Sequence, residues 1–285
     1  MSLRIGQLTD LHIGFDLANE REGNLIRLEA VLARFLDPGV RPDLLLLTGD
    51  LTENGDAESF ARLANALKDY PIPCWPIPGN HDLRDTLLEA FPHVVPADGF
   101  IQYVIDLPGL RVLMLDTLEI GRHGGAFCET RARWLSDRLH EAPDVPTFIA
   151  MHHPPFATGI TWMDTHEGEP WVQRFATAIA GHDQIVGVTC GHVHRAATTL
   201  WNGVPAQVCP STSPAVALDL RPMDPNTPDG RAMITDEPAG LALHRWDGTR
   251  LLTHLFISDQ STVFASHNGN MTPLLRSLFA ERPND

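Results

Sequence analysis

The sequence predicts an α/β fold built on mixed sheets. Three observations predict it. Strand-like and helix-like segments alternate along the chain, the short apolar runs stop at turn formers, and two Pro-Gly or Asp-Gly hairpins interrupt the alternation. Strands joined by crossover helices pair in parallel, whereas hairpins add antiparallel strands, so parallel pairing should dominate with antiparallel additions.

The first strand covers residues 3–9 within "LRIGQLTDLH". Residues 20–36 carry Leu25, Leu28, Leu32, Phe35 and Leu36 at helical spacing and stop before Asp37-Pro38-Gly39. This helix leads to strand 44–48, where Leu44 to Leu47 form an unbroken apolar run that reads as a fully buried strand. Helices at 56–69, 83–91, 129–141 and 169–180 then alternate with strands at 74–77, 111–116, 147–151 and 185–190. "YVIDLPGLRVLML" and "LALHRWDGTRLLTHLFI" read as hairpins. Residues 211–240 carry five prolines and almost no periodicity. A loop of that length in a compact domain is a functional or interaction element. The chain has no internal repeats and no low-complexity tract.

Length and charge narrow the function classes. A chain of 285 residues suits one large α/β domain with a small appendage. Its net charge of −15, from 21 basic and 36 acidic residues, leaves duplex nucleic acid or an anionic membrane little to hold. Residues 1–10 lack a basic region followed by a long apolar core, and no apolar run approaches a membrane span. The expectation is a soluble cytoplasmic protein. Cys74, Cys128, Cys190 and Cys209 show no C-x-x-C spacing and are expected to be small buried hydrophobes.

The chemistry sits where apolar segments end. "LRIGQLTDLH" ends on Asp10 and His12, the leucine run on Asp50, and "CWPIPGNHD" on Asn80 and His81. "TFIAMHHPP" ends on His152 and His153, and "IVGVTCGHVH" on His192 and His194. Six of the 14 histidines fall in these motifs, a concentration that separates metal ligation from ordinary histidine usage. An open α/β sheet binds ligands beyond the carboxyl ends of its strands, so the motifs converge there. Residues two apart on a strand share a face, which lets Asp10 and His12, or His192 and His194, approach one ion together. Imidazole, carboxylate and amide donors without thiolate suit Fe, Mn, Zn or Co.

D-x-H, G-D-x, G-N-H-D, H-H-P-P and G-H-x-H, in that order over roughly residues 3–200, resemble the calcineurin-like metallophosphoesterase superfamily. The resemblance is strongest to its bacterial branch of cyclic-nucleotide and glycerophosphodiester phosphodiesterases. It implies a four-layer α-β-β-α sandwich with a dinuclear metal site at one edge. It further implies that Asp10, His12, Asp50 and His194 hold one ion, that Asp50, Asn80, His152 and His192 hold the other, and that Asp50 bridges. Residues 1–210 would then be the catalytic domain, and residues 211–285 a loop or cap with a closing hairpin of the same domain. That last region could also pair subunits into a homo-oligomer.

The implied reaction is hydrolysis of a small-molecule phosphodiester by a hydroxide bridging two divalent or iron-type ions. Two divalent ions less Asp10, Asp50 and hydroxide leave a net charge of about +1, matched to the single charge of a diester. In the family the histidine at the position of His81 contacts phosphate and assists the leaving group. Beside two cations it is biased toward neutral, so hydrogen-bond donation stands beside full proton transfer as its role. Asp82 either holds a ring nitrogen of His81 or caps the following helix. His153 either faces substrate behind the ligand His152 or simply packs.

Serine/threonine protein phosphatases of the superfamily carry Asp-Arg after the bridging aspartate, as in G-D-x-V-D-R-G, whereas this chain reads "GDLTENG". The missing arginine disfavours a monoester dianion, and a phosphomonoesterase of the same superfamily is the alternative reading. A non-catalytic protein-binding scaffold is the other, against which stand all seven ligands and His81. Residues 156–170, with Trp162, Met163 and His166, are either a specificity lid or an ordinary surface loop.

Overall fold

Residues 2–258 and 262–282 are described in a computed structural model. The chain begins β1 (Leu3–Leu8), α1 (Gly23–Phe35), β2 (Leu44–Thr48), α2 (Ala57–Leu67), β3 (Cys74–Ile77) and α3 (Arg84–Ala90). It continues β4 (Tyr103–Leu107), β5 (Leu110–Leu115), α4 (Glu129–Glu141), β6 (Thr147–Met151), α5 (Pro170–Ile179) and β7 (Ile185–Cys190). Then follow β8 (Ala197–Trp201), β9 (Val204–Val208), β10 (Ala215–Val216), β11 (Ile234–Thr235), β12 (Gly240–Trp246), β13 (Leu251–Ile257) and α6 (Thr272–Ala280).

Among the described residues two large sheets result, ordered β13-β12-β1-β2-β3 and β4-β5-β6-β7-β9-β8, with a two-stranded sheet of β10 and β11 beside them. The centres are parallel, as crossover connections require: β1 to β2 to β3 in one, β5 to β6 to β7 to β9 in the other. Hairpins add the antiparallel edges. Strand β12 pairs antiparallel with β1, Leu3 opposite Trp246, so the C-terminal hairpin completes the N-terminal sheet.

The period of two sorts side chains into layers. Val112, Met114, Phe148 and Ala150 join one buried cluster with Ile5 and Leu241 of the first sheet. Their neighbours Leu113, Leu115, Ile149 and Met151 join another with Trp134 and Leu135 of α4 and Phe175 of α5. On the opposite face of the first sheet, α1 lies so close that a Cβ on Gly6 would come within 3.1 Å of Phe35. The order is helix, sheet, sheet, helix, the expected four layers. The apolar runs of β2 and β6 are buried throughout.

Part of the sheet interface is polar. Gln7 Nε2 donates to Thr48 Oγ1 (2.8 Å) and to the Cys190 carbonyl (3.2 Å), while its Oε1 accepts from Thr189 Oγ1 (2.6 Å) and His244 Nε2 (3.1 Å). The Thr253 hydroxyl donates to His244 Nδ1 at 2.8 Å, which satisfies both ring nitrogens. Burial pushes the His244 imidazole down to about 3.

Most predicted elements are present with ends shifted by a few residues. Strand 3–9 stops at Leu8, a change that matters for the ligands below. The β8–β9 hairpin was not expected, although its Asn202-Gly203 turn, with φ of 48° and 82°, has the two positive φ angles of a tight hairpin. Helix α6 and the β10–β11 pair within 211–240 were also not expected. All four cysteines are free, but only Cys190 and Cys209 are buried. Cys74 and Cys128, which border the surface, correct the uniform expectation. Among the described residues no helix is long and apolar enough to cross a membrane.

Candidate metal centre

The ligand-bearing residues lie in loops just past the strand ends, not on the strands. Asp10, His12, Asp50, His192 and His194 all have left-handed backbone, with φ of 52°, 48°, 47°, 71° and 55°. Strand alternation therefore does not bring Asp10 beside His12 or His192 beside His194. Left-handed turns bring Asp10 beside His12, whereas His192 joins His152 in a group separate from that of His194, which corrects the expectation that His192 and His194 approach one ion together. Such residues cost of order 1–3 kcal/mol each and persist only where surrounding structure fixes them. Here the loops are laced together: Asp10 N–H donates to the Gly49 carbonyl and His12 N–H to the Asp50 carbonyl, both at 3.0 Å. His192 N–H donates to the Asp10 carboxylate at 3.0 Å. A Cβ on Gly49 would lie 2.4 Å from His152 Nδ1 and one on Gly79 2.2 Å from Asp50 Oδ1, so neither position admits a side chain.

Donor atoms of Asp10, His12, Asp50 and His194 lie within 4.8 Å of one another. On the other side of Asp50, His152 Nε2 sits 3.3 Å from Asp50 Oδ2 and 3.2 Å from Asn80 Oδ1, with the His192 ring 5.3 Å from the His152 ring. Asp50 Oδ2 is also 3.7 Å from His12 Nε2, which puts this one oxygen between both groups.

The donor chemistry fits cations. His12 Nδ1 donates to Glu53 Oε2 (2.7 Å), His194 Nδ1 to the Pro214 carbonyl (2.9 Å) and His152 Nδ1 to the Thr48 carbonyl (2.8 Å). Each neutral ring then turns an Nε2 lone pair inward, and those of His12 and His194 face each other at 3.2 Å. With both rings neutral these two lone pairs repel, a contact that a shared cation or a proton on one ring relieves. His192 Nδ1 is buried without a hydrogen-bond partner, as a metal-ligating nitrogen would be. Burial would raise the Asp50 carboxyl, but His152 and His12 outweigh it and hold Asp50 well below the ordinary value. Burial would lower His152, yet Asp50 and Asp10 lift it to about 9. The buried carboxylates thus call for positive charge.

His81 N–H donates to Asp50 Oδ1 (2.9 Å) and its Nδ1 to the Glu53 carbonyl (2.8 Å). Its Nε2 is left for the cavity, as an acceptor in the neutral ring and a donor only in the imidazolium. Asp82 plays neither expected role. The helix cap is Leu83, and the Asp82 carboxylate instead accepts from the N–H groups of Gly79 (2.9 Å), Leu51 and Thr52 (3.0 Å each) and the Thr52 hydroxyl. It locks the Asp50 loop to the Asn80 loop. His153 is buried with both ring nitrogens committed: Nε2 donates to the His123 carbonyl (3.0 Å) and Nδ1 accepts from Thr117 (2.8 Å). It therefore has no lone pair for a metal, although it neighbours His152 and His192.

The calcineurin-like phosphoesterase family model matches residues 3–196. The chain belongs to that family. It is 34% identical over 215 residues, 75% of this chain and 77% of the relative, to "Probable glycerophosphodiester phosphodiesterase GpdQ" of Arcobacter nitrofigilis. It is 33% identical, over 81% of this chain and 90% of the relative, to a Synechococcus protein named a probable cyclic nucleotide phosphodiesterase. A dimetal phosphatase from Danio rerio shares the fold, with a TM-score of 0.61 at 14% identity over 88% of this chain and 98% of that one.

In this phosphoesterase the candidate metal-binding cluster floors a cavity of about 330 Å³. Its walls are His81, His123, Trp162 and Met163, closed on the far side by Val216 and Ile234 from β10 and β11. Among the described residues no arginine or lysine lines it. Trp162 and Met163 come from the 156–170 segment, whereas His166 lies in the turn before α5, its carbonyl accepting from Glu169 N–H at 2.9 Å. The 211–240 segment is tied down by two arginines. Arg27 donates to the Thr212 carbonyl (2.9 Å), Asp236 (2.8 Å) and the Glu237 carbonyl, and Arg195 to the Val216 carbonyl (2.7 Å) and the Glu237 carboxylate. Sequence reasoning had not singled out Glu53, His123, Val216 or Ile234. The first lies in the Asp50 motif itself, and the last two lie beyond the span of the family match.

Proposed function

We propose that this phosphoesterase hydrolyses a small phosphodiester, a cyclic nucleotide or a glycerophosphodiester, with two divalent or iron-type metal ions. The observation that carries the reading is a cavity whose walls, among the described residues, hold no arginine or lysine and whose floor exposes His12, Asp50, Asn80, His192 and His194, with Asp10 and His152 buried behind them. Asp10, His12, Asp50 and His194 would hold one ion and Asp50, Asn80, His152 and His192 the other, drawn from Fe, Mn, Zn or Co. Bound together, such ions make water a nucleophile at neutral pH and take up charge on phosphate oxygens. Without a guanidinium clamp the site offers less to a monoester dianion than to a diester. The names of the Arcobacter and Synechococcus relatives support the same class.

The chain's own residues supply orientation and a proton. Glu53, Thr48 and Pro214 fix the tautomers of His12, His152 and His194. His81, held through Nδ1 and its backbone N–H, is placed to give an Nε2 proton to the leaving alkoxide when it is imidazolium. Trp162, Met163, Val216 and Ile234 form an apolar wall for the organic half of the substrate and exclude water from it. The net charge of −15 weighs against duplex nucleic acid as substrate, and a diffusible diester in the cytoplasm fits best.

Comparing kcat/KM for bis(p-nitrophenyl) phosphate and p-nitrophenyl phosphate tests the reading. The diester should be preferred, and a clear preference for the monoester overturns the substrate class. Elemental analysis should find close to two metal ions per chain. Full activity with at most one overturns the dinuclear assignment.

A further inference from the structure

A second imidazole flanks the cavity beside His81. The His123 ring centroid lies 6.2 Å from that of His81, with the planes inclined at 60°. His123 is exposed, lines the cavity, and belongs to neither donor set. Two imidazoles at that separation, His81 donating as imidazolium and His123 through a ring N–H, can bracket the oxygens of one phosphodiester.

The loop beneath it is fixed at successive points. Arg122 pairs with Glu169, the N-cap residue of α5. His153 Nε2 holds the His123 carbonyl, and the Thr117 hydroxyl holds His153 Nδ1 while accepting the His153 backbone N–H at 3.3 Å. Gly125 packs on His153 so closely that a Cβ there would lie 2.8 Å from His153 Cβ. Ala126 N–H closes the loop onto the Thr117 carbonyl at 2.9 Å. Two residues of chemical interest are thus accounted for together. The buried histidine that ligates nothing holds the backbone of the exposed one that faces the cavity. A polar side chain on so well-fixed a loop binds with little ordering cost. With the neighbouring walls formed by Trp162, Met163, Val216 and Ile234, His123 and His81 are the polar side chains of the walls above the donor floor.

We propose that His123 is a substrate-binding residue, hydrogen-bonded to an oxygen of the diester beside His81, and that His153 is the positioning residue that sets it there. The proposal rests on the phosphodiesterase reading above. A contact to a charged substrate made alike in the ground and transition states appears in KM, and its loss costs on the order of tenfold.

Steady-state kinetics with bis(p-nitrophenyl) phosphate, alongside elemental analysis, test it on the metal-loaded protein. His123→Ala should raise KM about tenfold, well beyond its change in kcat, with metal content unchanged, and His123→Gln should recover much of the loss. His153→Ala should raise KM in the same direction, and the His123→Ala/His153→Ala double variant should be no worse than His123→Ala alone. Thr117→Val, which removes the hydroxyl bonded to His153, is read in parallel, so the link is tested even where His153→Ala does not fold. Wild-type KM in His123→Ala overturns the substrate contact. Multiplied effects in the double variant, or wild-type KM in Thr117→Val when His153→Ala is unfolded, overturn the positioning role. A wild-type protein that hydrolyses no diester overturns the phosphodiesterase reading itself, and is distinguished by failing before any variant is compared.

Discussion

Glu53 serves two histidines at once: its Oε2 accepts from His12 Nδ1 at 2.7 Å, and its backbone carbonyl accepts from His81 Nδ1 at 2.8 Å. One residue thereby orients a metal donor and the cavity imidazole. Removing the carboxylate frees the His12 ring, and partners of metal-binding histidines are worth about 10–100-fold in metal affinity. Glu53→Ala is expected to weaken metal binding by that factor, read from occupancy against a graded chelator. Unchanged occupancy would show that His12 is held by packing alone.

His81→Ala is expected to lower kcat by about 10²–10³ while both metals stay bound. Its Nδ1 is committed to Glu53, so the ring can donate from Nε2 only as imidazolium. The loss should be larger for a poor alkoxide leaving group than for p-nitrophenolate, which departs with little help from an acid. Equal slowing of both substrates would mean that the ring stabilises charge without delivering a proton.

His244 makes stability depend on pH. Its folded value of about 3 lies below the ordinary 6.5 of the unfolded chain, so only the unfolded state takes up the proton between them. The stability it contributes is complete above pH 6.5 and is lost as pH falls toward 3, at about 1.4 kcal/mol per pH unit. Urea unfolding of His244→Gln should show a shallower loss over that window. An identical slope would place the titration elsewhere.

Arg27→Ala should loosen the 211–240 segment while leaving the sandwich folded. Arg27 donates to Thr212, Asp236 and Glu237, and losing such bonds costs roughly 1–3 kcal/mol locally. Tryptic cleavage within the segment, at Arg221 for example, is expected to speed up on the order of tenfold with little change in Tm. A matching fall in Tm would show that the segment unfolds only with the whole domain.

The parallel centres of both sheets were legible because β2 and β6 are apolar throughout, which only a doubly covered strand tolerates. The β8–β9 hairpin was not, because Thr198, Thr199 and Leu200 are exposed and its edge strand lacks any apolar alternation. The ligand motifs were legible for a related reason: each follows an apolar run that marks a strand end. Their geometry was not, since strand alternation was the available rule and left-handed backbone at Asp10 or His192 leaves no mark in the sequence. Asp82 shows the limit most clearly. A carboxylate just before a helix looks like a cap, and only the fold reveals that its partners are Leu51 and Thr52, about thirty positions away. His123 has no apolar run beside it, and Glu53, though it lies in the Asp50 motif, takes its role from loops that meet only in three dimensions.

Each donor set spans both sheets. His194 follows the second sheet but joins Asp10, His12 and Asp50 from the first, and Asp50 and Asn80 meet His152 and His192 from the second. An ion at either proposed position would therefore be a rivet through the sandwich. Its affinity would become cohesion between halves that otherwise hold together by packing and the Gln7 network, adding about 2.7 kcal/mol per site at a free concentration a hundred times Kd. Metal starvation would then act on the protein's lifetime as well as its turnover, since the same loss that silences the chemistry unfastens the two sheets.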